Sequence, residues 1–351
     1  MVDEIGEHMN SLIIWAWHRI LPEGGKGTVT PKVFAAQLAF LRQQGYVFID
    51  TAELSEVLRH GIPSDRRLAM LTFDDGWADN LIWATPILQQ FGAKAVMAVN
   101  TALVNPERKM PLDAEHYPRI PFKIALEKGV YGHSLDSFLT WNELAELQRS
   151  GIWDLQAHGN SHFGCYQTMW PVRGFYPDCN HWTMEYALDQ PPFPGAPRCE
   201  FVSTLAAPRT RPQATFLHRM RQAGSNGERR RICRRTSGAL DCLENEDQFV
   251  ARIHADLEAC RKQFEEHLGI IPRSLFWPWG HHSEVGRRVA LDCGFELLLT
   301  MNKDVVRFGS NPTMLPRIAA PLTAHGLQRE HFVFSHPVLK TVRDWWARRS
   351  T

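Results

Sequence analysis

Short apolar runs alternate along the chain with stretches of helical periodicity. The clearest helical stretch is residues 247–268, in which apolar side chains recur every three or four positions before Gly269, a left-handed cap. Similar periodicity predicts helices over residues 33–44 and 81–91, and residues 140–143 form a capping box that begins another. The runs predicted as strands are residues 12–17, 46–50, 68–73, 93–99, 153–157, 274–277 and 295–300. This alternation is typical of β/α units and predicts an α/β fold rather than a β-sandwich.

One long stretch does not fit this alternation. Residues 163–245 contain eight of the 22 prolines, five of the seven cysteines and eleven arginines, but no lysine. Because repeated proline excludes a continuous helix or a central strand, we expect a large irregular insertion here. With seven acidic residues its net charge is +4, which leaves −3 for the remainder of a chain whose total is +1. Residues 101–138 form a smaller insertion.

The composition narrows the class of protein. At 351 residues and 40.2 kDa, the chain is long enough for two domains or for one large barrel with insertions. The near balance of 39 basic and 38 acidic residues provides no global field for nucleic acid. Seven cysteines without a Cys-x-x-Cys pair fit neither a disulfide framework nor a thiolate zinc site. Residues 12–17 are too short a run for a signal peptide or a membrane span, so we expect a cytoplasmic protein.

Two adjacent carboxylates, Asp74 and Asp75, follow an apolar run and precede Gly76. β/α folds place their active sites at the carboxyl ends of strands. At such an end the two side chains can separate, one toward a metal and one toward a substrate. An Asp-Asp-Gly sequence also forms ordinary turns, so the motif alone leaves a purely structural role open.

A second polar cluster follows the strand predicted at residues 153–157. His158 and His162 are four residues apart, a spacing at which two neutral imidazoles can bind one ion. A carboxylate such as Asp75 would complete a set of two histidines and one carboxylate, with open positions for water and substrate. The alternative is a polar loop with solvated histidines.

The third motif is Trp277-Pro278-Trp279-Gly280, again at the end of a predicted strand. A rigid turn of this kind offers a backbone N–H and an aromatic wall beside a sugar ring. Buried aromatic residues that cover a barrel mouth are the alternative.

Taken together, the three motifs resemble those of the polysaccharide deacetylase family, the carbohydrate esterases with a NodB homology domain. Residues 72–76 match the family pattern Thr-Phe-Asp-Asp-Gly at every position. The resemblance implies a distorted (β/α)7-type barrel with a large irregular insertion, and it makes Asp74 the general base. Gly159 stands where the family usually has a hydroxyl residue, which leaves open whether this chain has the hydrogen bond that stabilises the loop. The metal ligands that the resemblance implies are Asp75, His158 and His162.

The resemblance extends to the circularly permuted branch that includes the poly-N-acetylglucosamine deacetylases. Residues 13–20 end in Trp-His-Arg-Ile, which is similar to the Tyr-His-Arg-Ile segment of that branch and implies that His18 is the catalytic acid. An unpermuted member would carry this acid near the C-terminus, where His336 is the rival candidate. Arg317 lies in a Pro-Arg-Ile segment like the one that closes the permuted members. By resemblance it approaches the pocket and keeps Asp74 ionised, with a surface salt bridge as the alternative.

The resemblance implies a metal-dependent N-deacetylase. Pro278, Trp279 and Gly280 would line the substrate groove with Trp277 beside them. The Trp279 N–H would meet the oxyanion. One divalent ion would be needed, with zinc expected and cobalt, nickel or iron able to occupy the same site. The expected reaction removes the N-acetyl group of an N-acetylhexosamine, in a glycan or a lipid-linked precursor, and releases acetate.

Two alternatives come from other classes: a metal-dependent amidase acting on a non-sugar amide, and a catalytically silent carbohydrate-binding protein. The expected organisation is a barrel over residues 11–320, interrupted at 101–138 and 163–245, with a C-terminal tail over 321–351 that packs on the barrel. The expected partner is an N-acetylated sugar, free or lipid-linked, and not a nucleic acid. Peripheral membrane contact would come from the substrate or from the tryptophan- and arginine-rich residues 343–349.

Overall fold

The computed structural model describes residues 11–130, 132, 134–178, 193–236 and 238–335. Each apolar run predicted as a strand coincides with an observed strand, with boundaries that agree within about two residues. The strands are β1 (Ser11–Trp17), β2 (Arg19–Ile20), β3 (Thr28–Val29), β4 (Tyr46–Phe48), β5 (Arg67–Asp74), β6 (Ala95–Val99), β7 (Trp153–Ala157), β8 (Gly164–Tyr166), β9 (Phe201–Ser203), β10 (Thr210–Pro212), β11 (Leu240–Cys242), β12 (Ser274–Phe276), β13 (Leu297–Leu299), β14 (Val306–Arg307) and β15 (Ile318–Ala319).

The predicted helix signals are also confirmed. Thr140 and Glu143 form the expected capping box, and Gly269, with a φ of 66°, ends the long helix. The α-helices are α1 (Pro31–Gln43), α2 (Thr51–His60), α3 (Thr85–Gln90), α4 (Phe122–Val130), α5 (Trp141–Arg149), α6 (Ala214–Gln222), α7 (Asn226–Arg235), α8 (Glu246–Leu268), α9 (Glu284–Asp292) and α10 (Ala324–Phe334).

One predicted helix starts with a different geometry. The sequence predicts a helix over residues 81–91, but the chain first forms a π-helix, Asn80–Ala84, in which the backbone N–H of Thr85 donates to the Asn80 carbonyl. Pro86 follows and has no backbone N–H, so it cannot continue the regular α-helical ladder at this point. The wider turn therefore falls just after the Asp-Asp-Gly motif.

Seven parallel segments of the described chain form a closed ring. The strand order β1, β5, β6, β7, β12 and β13 is continuous and parallel. The ring closes through the segment that leads into β15, because Leu315 bridges Leu299 of β13 and Ile318 pairs with Trp15 of β1. β4 and β14 lie outside this ring and pair with the starts of β5 and β1. The predicted distorted (β/α)7-type barrel is confirmed.

Alternate residues of the barrel strands face two apolar layers. From β1, Ile13, Trp15 and Trp17 belong to a large cluster with most of the surrounding helices, whereas Leu12 and Ile14 belong to a smaller cluster of strand residues and residues of α2. All five are nearly or fully buried. The filled ring gives a fixed frame to the strand ends, where the three polar motifs lie.

The large insertion contains more regular structure than the sequence predicts. Its described residues form the antiparallel ribbons β8–β9 and β10–β11 and the helices α6 and α7. They surround an apolar cluster separate from the barrel core. The elements are short because most prolines of the described part lie between them, namely Pro171, Pro177, Pro194, Pro197 and Pro208. Residues 179–192 lie outside the described residues.

Residues 321–335 follow the barrel and pack on its first helix. Gln37 Nε2 of α1 donates to the Pro321 carbonyl at 2.6 Å, and Tyr46 Oη lies 3.1 Å from His331 Nε2 of α10. His336 and the segment predicted to contact a membrane lie outside the described residues. Within the described part of the chain, no helix combines the length and the apolar character that crossing a membrane requires.

Candidate metal and catalytic site

The two carboxylates of the Asp-Asp-Gly motif point in different directions. Asp74 is the last residue of β5, and Asp75 has a φ of 76°, in the left-handed region that residues other than glycine rarely adopt. Because of this turn, Asp74 meets Arg317, whereas Asp75 meets His158 and His162. One short motif therefore supplies two carboxylates with different partners.

Asp75, His158 and His162 form a compact buried set. Asp75 Oδ1 lies 3.4 Å from His158 Nε2 and 3.5 Å from His162 Nε2, and one ligand atom from each residue fits within 4.8 Å of the others. Trp77 Nε1 donates to Asp75 Oδ2 at 3.0 Å, while Oδ1 has no hydrogen-bond partner among the described residues. A buried carboxylate oxygen without a partner is unfavourable, and with two imidazole nitrogens it makes a donor set for a divalent ion. These residues fit the predicted metal site.

Neighbouring groups orient both histidine rings. His158 Nδ1 lies 2.8 Å from the carbonyl of Phe276 at the end of β12. Because a carbonyl only accepts, Nδ1 carries the proton, and the Nε2 lone pair of the neutral ring is left to bind a metal ion beside Asp75. The His162 ring packs edge-on against Trp279, with ring centroids 4.1 Å apart. The orientation of each imidazole is therefore set before any ligand arrives.

The charges around this set favour a bound cation. Burial raises the pKa of Asp75, but the neighbouring imidazoles of His158 and His162 outweigh burial and hold the pKa well below its usual range. Burial lowers the pKa of His162 to about 4, so this ring is neutral at pH 7. Burial also lowers the pKa of His158, but the charges of Asp74 and Asp75 overcome it and raise the pKa. Asp74 has the Arg317 guanidinium as its positive partner, so the buried carboxylate that a metal ion would neutralise is Asp75.

Asp74 is held by a buried guanidinium. Arg317 Nη1 lies 2.6 Å from Asp74 Oδ1, and Nη2 lies 3.0 Å from Oδ2, which is the bidentate geometry of a strong ion pair. Arg317 also donates to the Thr300 carbonyl and to Thr72 Oγ1, each at 3.2 Å. Burial raises the pKa of Asp74, but the charge of Arg317 outweighs it and holds the pKa below its usual value. Asp74 is therefore an ionised, oriented carboxylate.

His18 lies between β1 and β2, beside the same strand ends. Its charge helps to lower the pKa of both Asp74 and Asp75, which places the ring within electrostatic reach of the two carboxylates. The ring is partly exposed and packs edge-on against Phe122 of α4, with centroids 5.5 Å apart. Among the two candidates for the acid, His336 lies outside the described residues.

Two tryptophans flank Pro278 in the turn after β12, and only one of them, Trp279, lies at the site. Trp279 has a φ of 55° and lies against His162, and Gly280, with a φ of 73°, has no space for a side chain. Pro278 is buried beneath this turn. Trp277 is 0% exposed and packs in the barrel core. The prediction that Trp277 lines the substrate site is therefore corrected, because its ring has no surface to offer a ligand.

Sequence reasoning missed the residue that shapes the histidine loop. Asp256 of α8 accepts hydrogen bonds from the backbone N–H groups of Asn160 at 2.9 Å and Ser161 at 3.0 Å, and also from the Ser161 hydroxyl. Gly159 has a φ of 83°, and a Cβ there would lie only 3.0 Å from Leu205 Cδ1. The loop-stabilising hydroxyl that the sequence lacks at Gly159 is thus present two residues later, at Ser161.

Comparisons with known proteins identify relatives that deacetylate polysaccharides. A family model described as polysaccharide deacetylase matches residues 61–188. The poly-beta-1,6-N-acetyl-D-glucosamine N-deacetylase of Escherichia coli (strain K12) is 30% identical over 159 residues, which are 44% of this chain and 22% of that protein. The match thus spans about a fifth of that relative.

Solved structures show the same fold at low sequence identity. A de-N-acetylase from Aggregatibacter actinomycetemcomitans superposes with a TM-score of 0.57 at 15% identity, covering 89% of this chain and 96% of that one. IcaB from Ammonifex degensii superposes with a TM-score of 0.54 at 19% identity, covering 91% and 97%. At these identities the similarity establishes the barrel and not the reaction.

Proposed function

We propose that the chain belongs to the polysaccharide deacetylase family, whose model matches residues 61–188, and that it hydrolyses the N-acetyl group of an N-acetylhexosamine and releases acetate. The observation that carries the proposal is the division of roles at the end of β5. Asp75 joins two histidines in a cation site, while Asp74 is held ionised by Arg317. The relative from Escherichia coli is named for the same type of reaction.

The residues of the chain would act in sequence. Asp74 removes a proton from the attacking water, because it is ionised and fixed in orientation. The water oxygen bonds to the acetyl carbon, and the former carbonyl oxygen becomes an oxyanion that meets the backbone N–H of Trp279. His18 then donates a proton to the departing amine, so that acetate and a free amino sugar leave.

The ion would be held by Asp75, His158 and His162. When bound, a divalent ion supplies a Lewis acid for the acetamide carbonyl and lowers the pKa of water. The nitrogen-rich donor set favours zinc, although cobalt, nickel and iron suit the same donors. The protein keeps these donors in place through the Phe276 carbonyl and the Trp77 indole.

The aromatic surroundings of the site support a sugar as the substrate. Trp279 gives it an aromatic wall, and Phe201 of the large insertion packs edge-on against that ring, with centroids 4.9 Å apart. The backbone N–H of Thr204 donates to the Phe163 carbonyl, directly after the histidine loop. The insertion therefore borders the site and would select which N-acetylated glycans, free or lipid-linked, can enter.

A pair of isosteric variants tests the division of roles. Asp75→Asn should abolish both zinc binding and acetate release, because the ligand oxygen loses its charge. Asp74→Asn should keep bound zinc but lower acetate release at least about 100-fold, because the base is lost. Zinc is measured by elemental analysis after dialysis, and folding of both variants by thermal unfolding.

The reaction is followed by mass spectrometry for the loss of one acetyl group from GlcNAc oligomers, nucleotide sugars and glycolipids. Full zinc content in Asp75→Asn, or full activity in Asp74→Asn, would contradict the proposal. Turnover of a non-sugar amide, with none of these sugars deacetylated, would identify an amidase instead.

A further inference from the structure

Arg19, the residue after His18, has a completely buried guanidinium. Its Nε lies 2.7 Å from Asp79 Oδ2, and Asp79 is fully buried as well. A buried ion pair is stable only if its remaining donors and acceptors are also satisfied. Arg19 Nη2 donates to Tyr117 Oη at 3.0 Å, and Nη1 donates to the Ile120 carbonyl at 2.8 Å. The Arg19 guanidinium thus joins three segments of the chain: its own, the one with Asp79, and the one with Tyr117 and Ile120.

Asp79 and its neighbour Asn80 fix the backbone on both sides of Arg19, beginning at the His18 carbonyl. Asp79 Oδ1 accepts a hydrogen bond from the Ile20 N–H at 2.9 Å. The next residue, Asn80, donates through Nδ2 to the His18 carbonyl, also at 2.9 Å. Asp79 and Asn80 are at the start of the π-helix that follows the Asp-Asp-Gly motif. The segment with the proposed acid is therefore hydrogen-bonded to the turn that follows Asp74 and Asp75 in the chain.

Arg19 also holds the surface on which the His18 ring packs. Ile120 accepts a hydrogen bond from Arg19 and is two residues before Phe122, whose ring lies edge-on to that of His18. The smaller insertion, residues 101–138, thus provides one wall beside the proposed acid. Without the guanidinium, this wall and the His18 backbone would lose their shared anchor.

We propose that Arg19 is a positioning residue that holds His18 in place for proton donation to the leaving amine. The inference rests on the proposed function, because Arg19 acts through the acid of that reaction. Arg19 has no exposed surface, so its role is to position other groups and not to bind a substrate. A single ammonium cannot reach Asp79, Tyr117 and Ile120 at once, so lysine is only a partial replacement.

A double-mutant cycle between Arg19→Met and His18→Ala tests this inference. With His18 present, Arg19→Met should lower acetate release from a GlcNAc oligomer about 100-fold. In the His18→Ala background, Arg19→Met should lower acetate release less than about 3-fold, because no acid remains to be positioned. An equal loss in both backgrounds, or no loss in either, overturns the inference. Arg19→Lys and Tyr117→Phe repeat the cycle with smaller changes if Arg19→Met does not fold.

Arg42 offers a matched control. Its guanidinium donates to the carbonyls of Phe91 and Gly92, each at 2.7 Å, and lies 4.6 Å from the centroid of the Phe48 ring. Arg19 lies at the same distance, 4.6 Å, from the Trp77 ring. Arg42→Met should lower the thermal stability and should change acetate release by the same factor in both His18 backgrounds. Rates are expressed per bound zinc, because Trp77 also contacts a metal ligand.

A second substrate separates failure of the inference from failure of the proposed function. The leaving group of 4-nitrophenyl acetate needs no proton, so Arg19→Met should change its hydrolysis less than about 3-fold. Equal losses with the ester and with the N-acetyl sugar would show that Arg19 supports the whole site and would overturn its role through His18. If the wild-type protein deacetylates no N-acetyl sugar, the proposed function fails whatever the Arg19 variants do.

Discussion

Two opposing effects set the charge of Asp74. Burial favours the neutral acid and raises the pKa, whereas the Arg317 guanidinium favours the carboxylate and holds the pKa below its usual value. Both side chains are almost completely buried, with exposures of 0% for Arg317 and 4% for Asp74, so water screens their attraction little. In the proposed reaction Asp74 is the general base, which works in its ionised form, so Arg317 would extend activity to lower pH.

Replacement of Arg317 by methionine should therefore move the acidic limb of kcat/KM to higher pH. The pKa of Asp74 rises once burial is no longer outweighed, so a larger fraction of the base is protonated at any given acidic pH. Arg317→Lys should give a smaller shift, because it keeps the charge but loses the bidentate geometry. The measurement is the pH profile of the zinc-loaded variants, and an acidic limb at the wild-type position in Arg317→Met would contradict it.

At the residue scale, the sequence identifies groups that are close together in the chain. Four side chains of the site follow apolar runs in short motifs, namely Asp74, Asp75, His158 and His162. Arg317 is 243 residues from Asp74, so no local pattern pairs them, and only resemblance pointed to the pocket. Trp277 was assigned wrongly because a run of aromatic residues does not show which ring faces the core.

At the scale of elements, α8 serves both the core and the histidine loop. Its apolar stripe includes Ile253, Leu257 and Cys260, all 0% exposed. Asp256 is three residues after Ile253 and so lies beside this stripe, where it accepts the backbone N–H groups of Asn160 and Ser161. Helical periodicity predicted the stripe. It does not show whether an acidic residue at the edge of the stripe, such as Asp256, accepts hydrogen bonds from another segment or is solvated.

Asp256→Ala should destabilise the protein and weaken the metal site together. Two backbone N–H groups lose their acceptor, which should lower the free energy of unfolding by about 1–2 kcal/mol. The loop between His158 and His162 also loses its anchor, so zinc affinity should fall. Urea unfolding and zinc titration measure the two effects.

Glu258→Ala is the control on the same helix, because Glu258 is exposed and pairs only with His254 at the surface among the described contacts. It should change the free energy of unfolding by less than about 0.5 kcal/mol. Wild-type zinc affinity in Asp256→Ala would show that the histidine loop keeps its shape without this anchor.

The barrel elements could be predicted from the sequence, whereas those of the large insertion could not. Barrel strands are continuous apolar runs, because both of their faces are buried. In the insertion, Arg-rich α7 offers only Ile232 and Cys233 as buried residues. The apolar core of the insertion forms from residues that are distant in the sequence, such as Tyr166 and Met220, and no local periodicity predicts such contacts.

At the scale of the whole molecule, one short segment closes the ring. The Leu315 N–H donates to the Leu298 carbonyl at 2.9 Å, and the Ala320 N–H donates to the Ala16 carbonyl at 2.8 Å. The pairing of β15 with β1 covers two residue pairs, whereas that of β5 with β1 covers six. Arg317 lies inside this closing segment. Ring closure and the charge of Asp74 therefore depend on the same few residues.

This closing segment should open locally at a lower free energy than the central strands do. Hydrogen exchange measured by mass spectrometry should be faster at residues 315–320 than in β5 or β6. Activity should also decline at a lower urea concentration than the far-ultraviolet circular dichroism signal, and coincident curves would contradict this. Each such opening would separate Arg317 from Asp74. Local unfolding of residues 315–320 would then inactivate the protein reversibly while the rest of the barrel stays folded.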